Sequence, residues 1–400
     1  MPEIILNPDR YTAANPVLHG RPSGDYHPSD SCLLEVSTDG VMVNLNGSVL
    51  DGENMINAGI YVHDCRDVTI KNGMVKGFYV GIRAVNVENL NIENCVVSDN
   101  HNPTDVEWLP DADDPMEEGF GAGIYLLRVF DSVIQGNLLN NNFNGLSLVR
   151  SERNRIAGNN ASYSGNLGIH LLGSGHNVVE DNQANHCIRY TGRFWCDIAD
   201  SAGILLEEHS HHNRITGNSL RYSGDGFFIR ANNGHSCDHN YIARNDASFS
   251  PNNAFEAGFS QHNVFEENVA DFSNYGFWFG FSSDTVVRDN RIRGNRLDGI
   301  AVDSGNRNNI QGNNIEGNRN GVRLWSDRPG ELGQITSVVR NDIKGSRECA
   351  VVVGKGQQIS IEDNVLDNNS RDVVQEWAAL PTTAKEGGPQ TSHRGKPVSR

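Results

Sequence analysis

Apolar and polar positions alternate along this chain in short runs, and the runs recur. A glycine followed by apolar, any, apolar opens GIYLLRV at Gly123, GLSLVRS at Gly145, GIHLLGS at Gly168 and GILLEEH at Gly203. The frame returns as GFFIRAN at Gly226, GFWFGFS at Gly276, GIAVDSG at Gly299 and GVRLWSD at Gly321, with earlier copies at Gly59 and Gly81. Ala254 takes the glycine place in AFEAGFS. A second column is asparagine: Asn137, Asn159, Asn182, Asn218, Asn245, Asn268, Asn290 and Asn313, spaced 22 or 23 residues apart except across Asn182–Asn218 and Asn218–Asn245, where the steps are longer. A third comprises Asn154, Asn177, Asn213, Asn240, Asn263 and Asn309. Alternation over short runs separated by Asn and Gly turns predicts strands, and no copy holds a segment of helical period.

A unit of this length is too short for a propeller blade or a helix pair, and fits one coil of a parallel β-helix. Each strand then pairs with its equivalent one coil on, at about 4.8 Å, and asparagines at equivalent turns hydrogen-bond from coil to coil. The expected fold is all-β: a single-stranded right-handed parallel β-helix of about thirteen coils over residues 33–369, a rod about 60 Å long. Residues 1–32 read as an N-terminal cap segment, and 370–400 as a C-terminal cap with a disordered tail.

The glycine strands, the asparagine ladder and the opening turn VMVNLNGSVLDG (Val41 to Gly52) resemble right-handed β-helix proteins of the pectin-lyase-like superfamily. The resemblance covers most of the chain. It implies the fold, and a choice among polysaccharide lyases, glycoside hydrolases, uronan epimerases, phage tailspikes and adhesins. The D-P-H-D motif of mannuronan epimerases and the G-H-G and R-x-K signals of polygalacturonases do not occur, so no subfamily is assigned.

Charge and composition narrow the partners. The 400 residues carry a net charge of −17, which argues against nucleic acid. No run of 18 apolar residues is present, so no membrane-spanning helix is expected. The first residues lack the basic and apolar regions of a secretory signal, which leaves a cytoplasmic protein or one secreted with its signal removed. The seven cysteines form no CxxC and suggest buried free thiols, although Cys187 and Cys196 share one segment and could close it.

Alternation points the first and third residues after each glycine into the core and the second and fourth outward. The outward set is rich in aromatics, arginine and carboxylates and poor in lysine, as a sugar-binding groove requires. Two insertions, near 101–120 and 186–199, enter at the turn before the glycine strands and are expected to wall a cleft beside this face. The candidate catalytic residues are Glu207, Glu256, Arg230 and His170, with Tyr125, Arg150, Trp195, Phe228, Trp278, Glu208, Asp303 and Arg323 as substrate contacts. Glu207 and Glu256 suit acid–base hydrolysis of a glycosidic bond. Arg230 with His170 suits a lyase or a uronan C5-epimerase, the arginine neutralising a uronate and the histidine taking the proton. A salt-bridge ladder Glu207–Arg230–Glu256 on a non-catalytic glycan-binding or structural rod is the bland alternative.

No metal site is expected. His209, His211 and His212 share one turn, but His176, His212, His239 and His262 each precede an asparagine of the third column and read as a structural stack. Asp111, Asp113, Asp114, Glu117 and Glu118 leave calcium open as a cofactor without matching a complete calcium loop. The expected partner is an oligo- or polysaccharide. A homo-oligomer is left open.

Overall fold

The structure is a computed structural model that describes residues 3–12, 32–101, 121–189, 201–231, 234–326, 335–354 and 359–376. Every strand pairing in it is parallel, and no helix occurs among the described residues. The chain is a right-handed parallel β-helix of the pectin-lyase-like kind. Three strand columns wind around one core. The glycine column runs Ala122–Phe130, Asn144–Val149, Leu167–Leu172, Ala202–Glu207, Asp225–Arg230, Asn253–Gly258, Tyr275–Gly280, Asp298–Asp303, Asn320–Trp325 and Cys349–Val353. A second column of three- or four-residue strands follows it, including Arg155–Ala157, Val178–Glu180, Arg214–Thr216 and Tyr241–Ala243. The third is paired as strands from Val49 to Val97, is reduced to single bridges from Val96 to Arg291, and returns as strands from Arg291–Arg293 onward.

Register follows the apolar alternation. Ile169, Ile204, Phe227, Phe255, Phe277, Ile300 and Val322 stand in line, fully buried. The glycine column is explained by close approach: a Cβ at Gly168 would stand 2.5 Å from the carbonyl oxygen of Gly203 one coil on. Any side chain there would push the coils apart.

The asparagine column is a continuous buried ladder. The side-chain oxygen of each member accepts the backbone N–H of the asparagine one coil earlier, at 2.8–3.0 Å from Asn137 to Asn341. The same side chains donate to carbonyls of the previous coil, as Asn218 does to Val179 at 3.0 Å. These turns would otherwise bury unpaired amides. The second ladder runs as expected from Asn154 to Asn263, but its later member is Asn308, not Asn309. Asn308 accepts from Thr285 N at 3.0 Å, whereas Asn309 opens a strand and pairs with Val286. Two adjacent asparagines made the one-residue register ambiguous in sequence. A third ladder was not legible: its members change from Asn100 and Asn142 through Cys187, Ser223, Ser250 and Ser273 to Asn295 and Asn318. Hydroxyl, thiol and amide all serve one position, so no single letter marks it.

Candidate functional site

The outer face of the glycine column is two surfaces rather than one. From the strand at Ala122 to that at Asp225 its outward side chains are buried, apart from the half-buried Leu172 and Arg230. Tyr125, Leu127 and Val149 join Val80, Val85 and Ala122 in one outer apolar cluster, and Leu205 and Phe228 join Leu167 and Ala202 in another. This corrects the expectation of an open groove there: Tyr125 is 6% and Phe228 5% exposed, so neither presents a free ring to a sugar. The physical reason is the apolar content of these outward positions, which makes this a covered face instead of a solvated one. From Asn253 onward the outward residues Glu256, Trp278, Asp303 and Arg323 are half-buried and reach solvent.

Three of the four catalytic candidates meet under the covered part. Parallel pairing sets Leu172, Glu207 and Arg230 in one column and His170, Leu205, Phe228 and Glu256 in the adjacent one. His170 therefore reaches Glu207 diagonally, Nε2 to Oε2 at 2.7 Å. Arg230 closes on the other oxygen, Nε to Oε1 at 2.7 Å and Nη2 to Oε1 at 2.6 Å. Glu207 is 1% exposed, which corrects its expected outward, solvated position. Burial raises its carboxyl, but the Arg230 charge and the bonds from His170 and Arg230 outweigh burial and hold it at about 2. Glu207 is thus an anion at any physiological pH. A carboxylate only accepts, so His170 carries its proton on Nε2 and, when neutral, presents Nδ1 as the basic nitrogen.

Glu256 accepts from Asn253 Nδ2 and stands in the column of His170 and Phe228. The first half of the expected ladder, Glu207–Arg230, is made. Among the remaining candidates, Arg230 stands 6.0 Å from the Phe228 ring. Glu208 is a half-buried turn residue with φ 38° and Arg150 an exposed one with φ 48°. Asp303 accepts from Ser304 Oγ at 2.8 Å, and Arg323 lies over Trp325 at 5.1 Å. Trp195, Cys196, the acidic residues of the first insertion and most of both inserted loops lie outside the described residues. Cys187 is a buried free thiol facing the Ala161 carbonyl at 3.5 Å, not half of a loop-closing bond. Sequence reasoning missed that His170 bonds Glu207 directly. The signal was available in the spacing of the two glycine strands, but the diagonal pairing needs the register.

The histidines occupy the turn that follows this strand column. His176, His212, His239 and His262 stack face to face at 4.9, 5.0 and 4.7 Å, all in left-handed conformation with φ near 58°. His211 Nδ1 accepts from the Asp238 amide at 2.9 Å, and His209 lies against His235 at 4.3 Å.

With this geometry in hand, comparison with known proteins is informative. The NosD family, described as periplasmic copper-binding protein, matches residues 26–192 and again 188–381. The chain belongs to the NosD family. No curated protein matches the sequence. Among solved structures, this NosD-family chain is similar to the catalytic domain of a GH87 alpha-1,3-glucanase in complex with nigerose, at 12% identity and TM-score 0.54, over 85% of this chain and 64% of that one. It is also similar to the periplasmic alginate epimerase AlgG (11% identity, TM-score 0.48, 91% and 85% covered). A further neighbour is the A-module of the Azotobacter vinelandii mannuronan C-5 epimerase AlgE4 (13%, 0.42, 93% and 88%). Likeness at these identities concerns the fold.

The family description calls for a test against copper. A copper centre needs imidazole or sulfur donors converging on one point. Among the described residues no three His, Cys, Asp or Glu side chains do so. Face-to-face stacking sets the imidazole nitrogens of the four-histidine row side by side instead of around a centre. Burial pushes the Cys187 thiol up to about 12, far from the thiolate a metal takes. The described residues do not fit a copper site.

Proposed function

We propose that this NosD-family protein acts on a uronate-containing polysaccharide in the periplasm, by removing the proton at C5 of a uronate ring. The observation that carries the reading is the His170–Glu207–Arg230 chain. It supplies a base with a fixed tautomer, an anion that positions it and a cation at its edge. Glu207 held at about 2 cannot donate a proton near neutrality, so hydrolysis by this pair would depend on Glu256 alone for its general acid. Arg230, whose side chain is 19% exposed, is the most accessible member and faces an incoming carboxylate first.

In this reading neutral His170 accepts the C5 proton at Nδ1. The electron pair of the broken C–H bond delocalises into the uronate carboxylate, whose charge Arg230 stabilises. A proton delivered by water to the opposite face gives the epimer, and His170 returns its proton to solvent. Alternatively, the pair expels the C4 oxygen, forming the C4–C5 double bond, and the departing oxygen takes a proton from water. Glu207 touches no substrate and is a positioning residue. Because His170 is buried, this reading requires the face above it to open before substrate reaches it. The family description supports a periplasmic site of action, and buried protonated thiols withstand an oxidising compartment.

The test incubates the protein with polymannuronate, alginate and polygalacturonate. Ultraviolet absorbance follows unsaturated ends, and proton exchange at C5 is followed in heavy water. Activity lost in His170→Gln and reduced in Glu207→Gln with a shifted pH profile supports the reading. New reducing ends on neutral glucans, without absorbance or exchange on uronans, would overturn it in favour of hydrolysis.

A further inference from the structure

A groove of about 470 Å³ opens on the turn edge near the start of the rod, lined by Asp39, Asp64, Arg66, Glu88, Arg128 and Phe130 over Cys65 and Val87. It lies along the same edge as the candidate site. The strand Ala122–Phe130 is three pairings before Ala202–Glu207, about 14 Å along the axis at the usual strand spacing.

Its polar groups are fixed by a relay from coil to coil. His63 bonds Glu35 at 2.7 Å and Asp64 at 3.0 Å. Asp64 accepts from Asn86 Nδ2 at 2.7 Å, and Asn86 Oδ1 accepts from Arg128 Nε at 2.6 Å. Asp64, Asn86 and Arg128 all sit in left-handed turns, with φ 49°, 56° and 52°. Holding Arg128 by Nε fixes the plane of its guanidinium and leaves the outer fork for a ligand. Arg66 is occupied by Asp39 at 3.2 Å, whereas Glu88 is exposed. The Phe130 ring is backed by Arg153 at 5.5 Å, which is itself held by Asp131 at 2.8 Å.

We infer that this groove is a second saccharide subsite that takes a uronate residue, its carboxylate on the Arg128 fork, its hydroxyls on Glu88 and its apolar ring face on Phe130. The three demands, one anion, several hydroxyl donors and one apolar face, are met together by a carboxylated sugar. A neutral sugar leaves the fork unmatched. A polyphosphate meets Asp39, Asp64 and Glu88. The inference rests on the reading of the protein as acting on a uronate polymer, and gives the chain of sugars a direction along the turn edge toward His170.

The experiment titrates the full chain with oligogalacturonate, oligomannuronate and a neutral malto-oligosaccharide by calorimetry, for wild type, Arg128→Gln, Arg128→Lys and His170→Gln, with melting temperatures as a folding control. The expected result is oligouronate binding about tenfold weaker in Arg128→Gln, the loss of one charge-assisted contact. Arg128→Lys recovers part of it, and the neutral sugar binds no variant well. His170→Gln binds as wild type while losing turnover. Uronan turnover with binding unchanged in Arg128→Gln overturns the subsite and leaves the proposed chemistry standing. Arg128-dependent binding without turnover supports the subsite and overturns the chemistry. Equal binding of neutral and acidic sugars, or none, overturns the subsite.

Discussion

One strand column presents two unlike outer faces. Between Ala122 and Arg230 it is largely covered and apolar, and holds an ion triad of which only Arg230 reaches solvent. After Asn253 it is half-open and carries the half-buried Glu256, Trp278, Asp303 and Arg323. The inner face is the same in both, a continuous apolar stack. The difference teaches that the coil repeat specifies the scaffold, while the outward positions are free to diverge. It also separates two electrostatic regimes. Glu207 is far from water and dominated by its partners, whereas surface pairs such as Arg153–Asp131 are screened.

The sharpest way to break this contrast is to remove the buried carboxylate. Glu207→Ala leaves Arg230 and His170 without their anion and should cost about 3–5 kcal/mol by denaturant unfolding. Asp303→Ala on the open face should stay within about 0.5 kcal/mol. Equal costs would mean that the covered region is solvated. Next in size is the shared scaffold: Asn218→Ala orphans the Asn182 amide and the Val179 carbonyl and should cost about 2 kcal/mol. A matching loss is expected at Asn290, on the open side, because the ladder does not distinguish the two regions.

Acid titration is a third probe. The Glu207 carboxyl lies below its ordinary 4.5 when folded. Its contribution to stability is therefore complete above 4.5 and drains away as the pH falls toward 2. In Glu207→Gln that acid limb should flatten.

The histidine row gives a smaller effect of the same sign. Desolvation, then the charges of His176 and His239, lower His212. Protons thus bind the unfolded chain more tightly, and melting temperature should drop as the pH passes below about 6.5, most steeply toward 5. Asp238 opposes this by raising His212. His212→Asn, which keeps a left-handed turn residue, should reduce the slope. Smallest in stability is Trp278→Ala on the open face. It should leave the melting temperature nearly unchanged and weaken polysaccharide binding, whereas an unchanged affinity would take the open face out of substrate contact.

Much of this was readable from particular residues. Gly168 and Gly203 marked the start of a repeated strand, Asn137 to Asn313 marked a ladder, and Ile204 and Leu206 marked the core side of a strand. The histidine row was legible as a stack because each member precedes a ladder asparagine. What failed was any inference about solvent. Glu207 and Phe228 occupy outward positions by alternation, yet both are buried, since alternation reports which side of a sheet a side chain takes and not what lies over that side. Asn309 failed by one residue because neighbouring asparagines are equivalent as letters and distinct only in register.

By itself the sequence determined the period, the three-strand coil and the division into inward and outward positions, because steric and hydrophobic demands repeat locally every coil. Tertiary structure alone decided that His170 crosses a column to meet Glu207, that Arg230 takes the opposite oxygen, and that water is nearly absent around them. Those outcomes depend on register between strands tens of residues apart and on cover over the sheet, neither of which is a property of any one repeat.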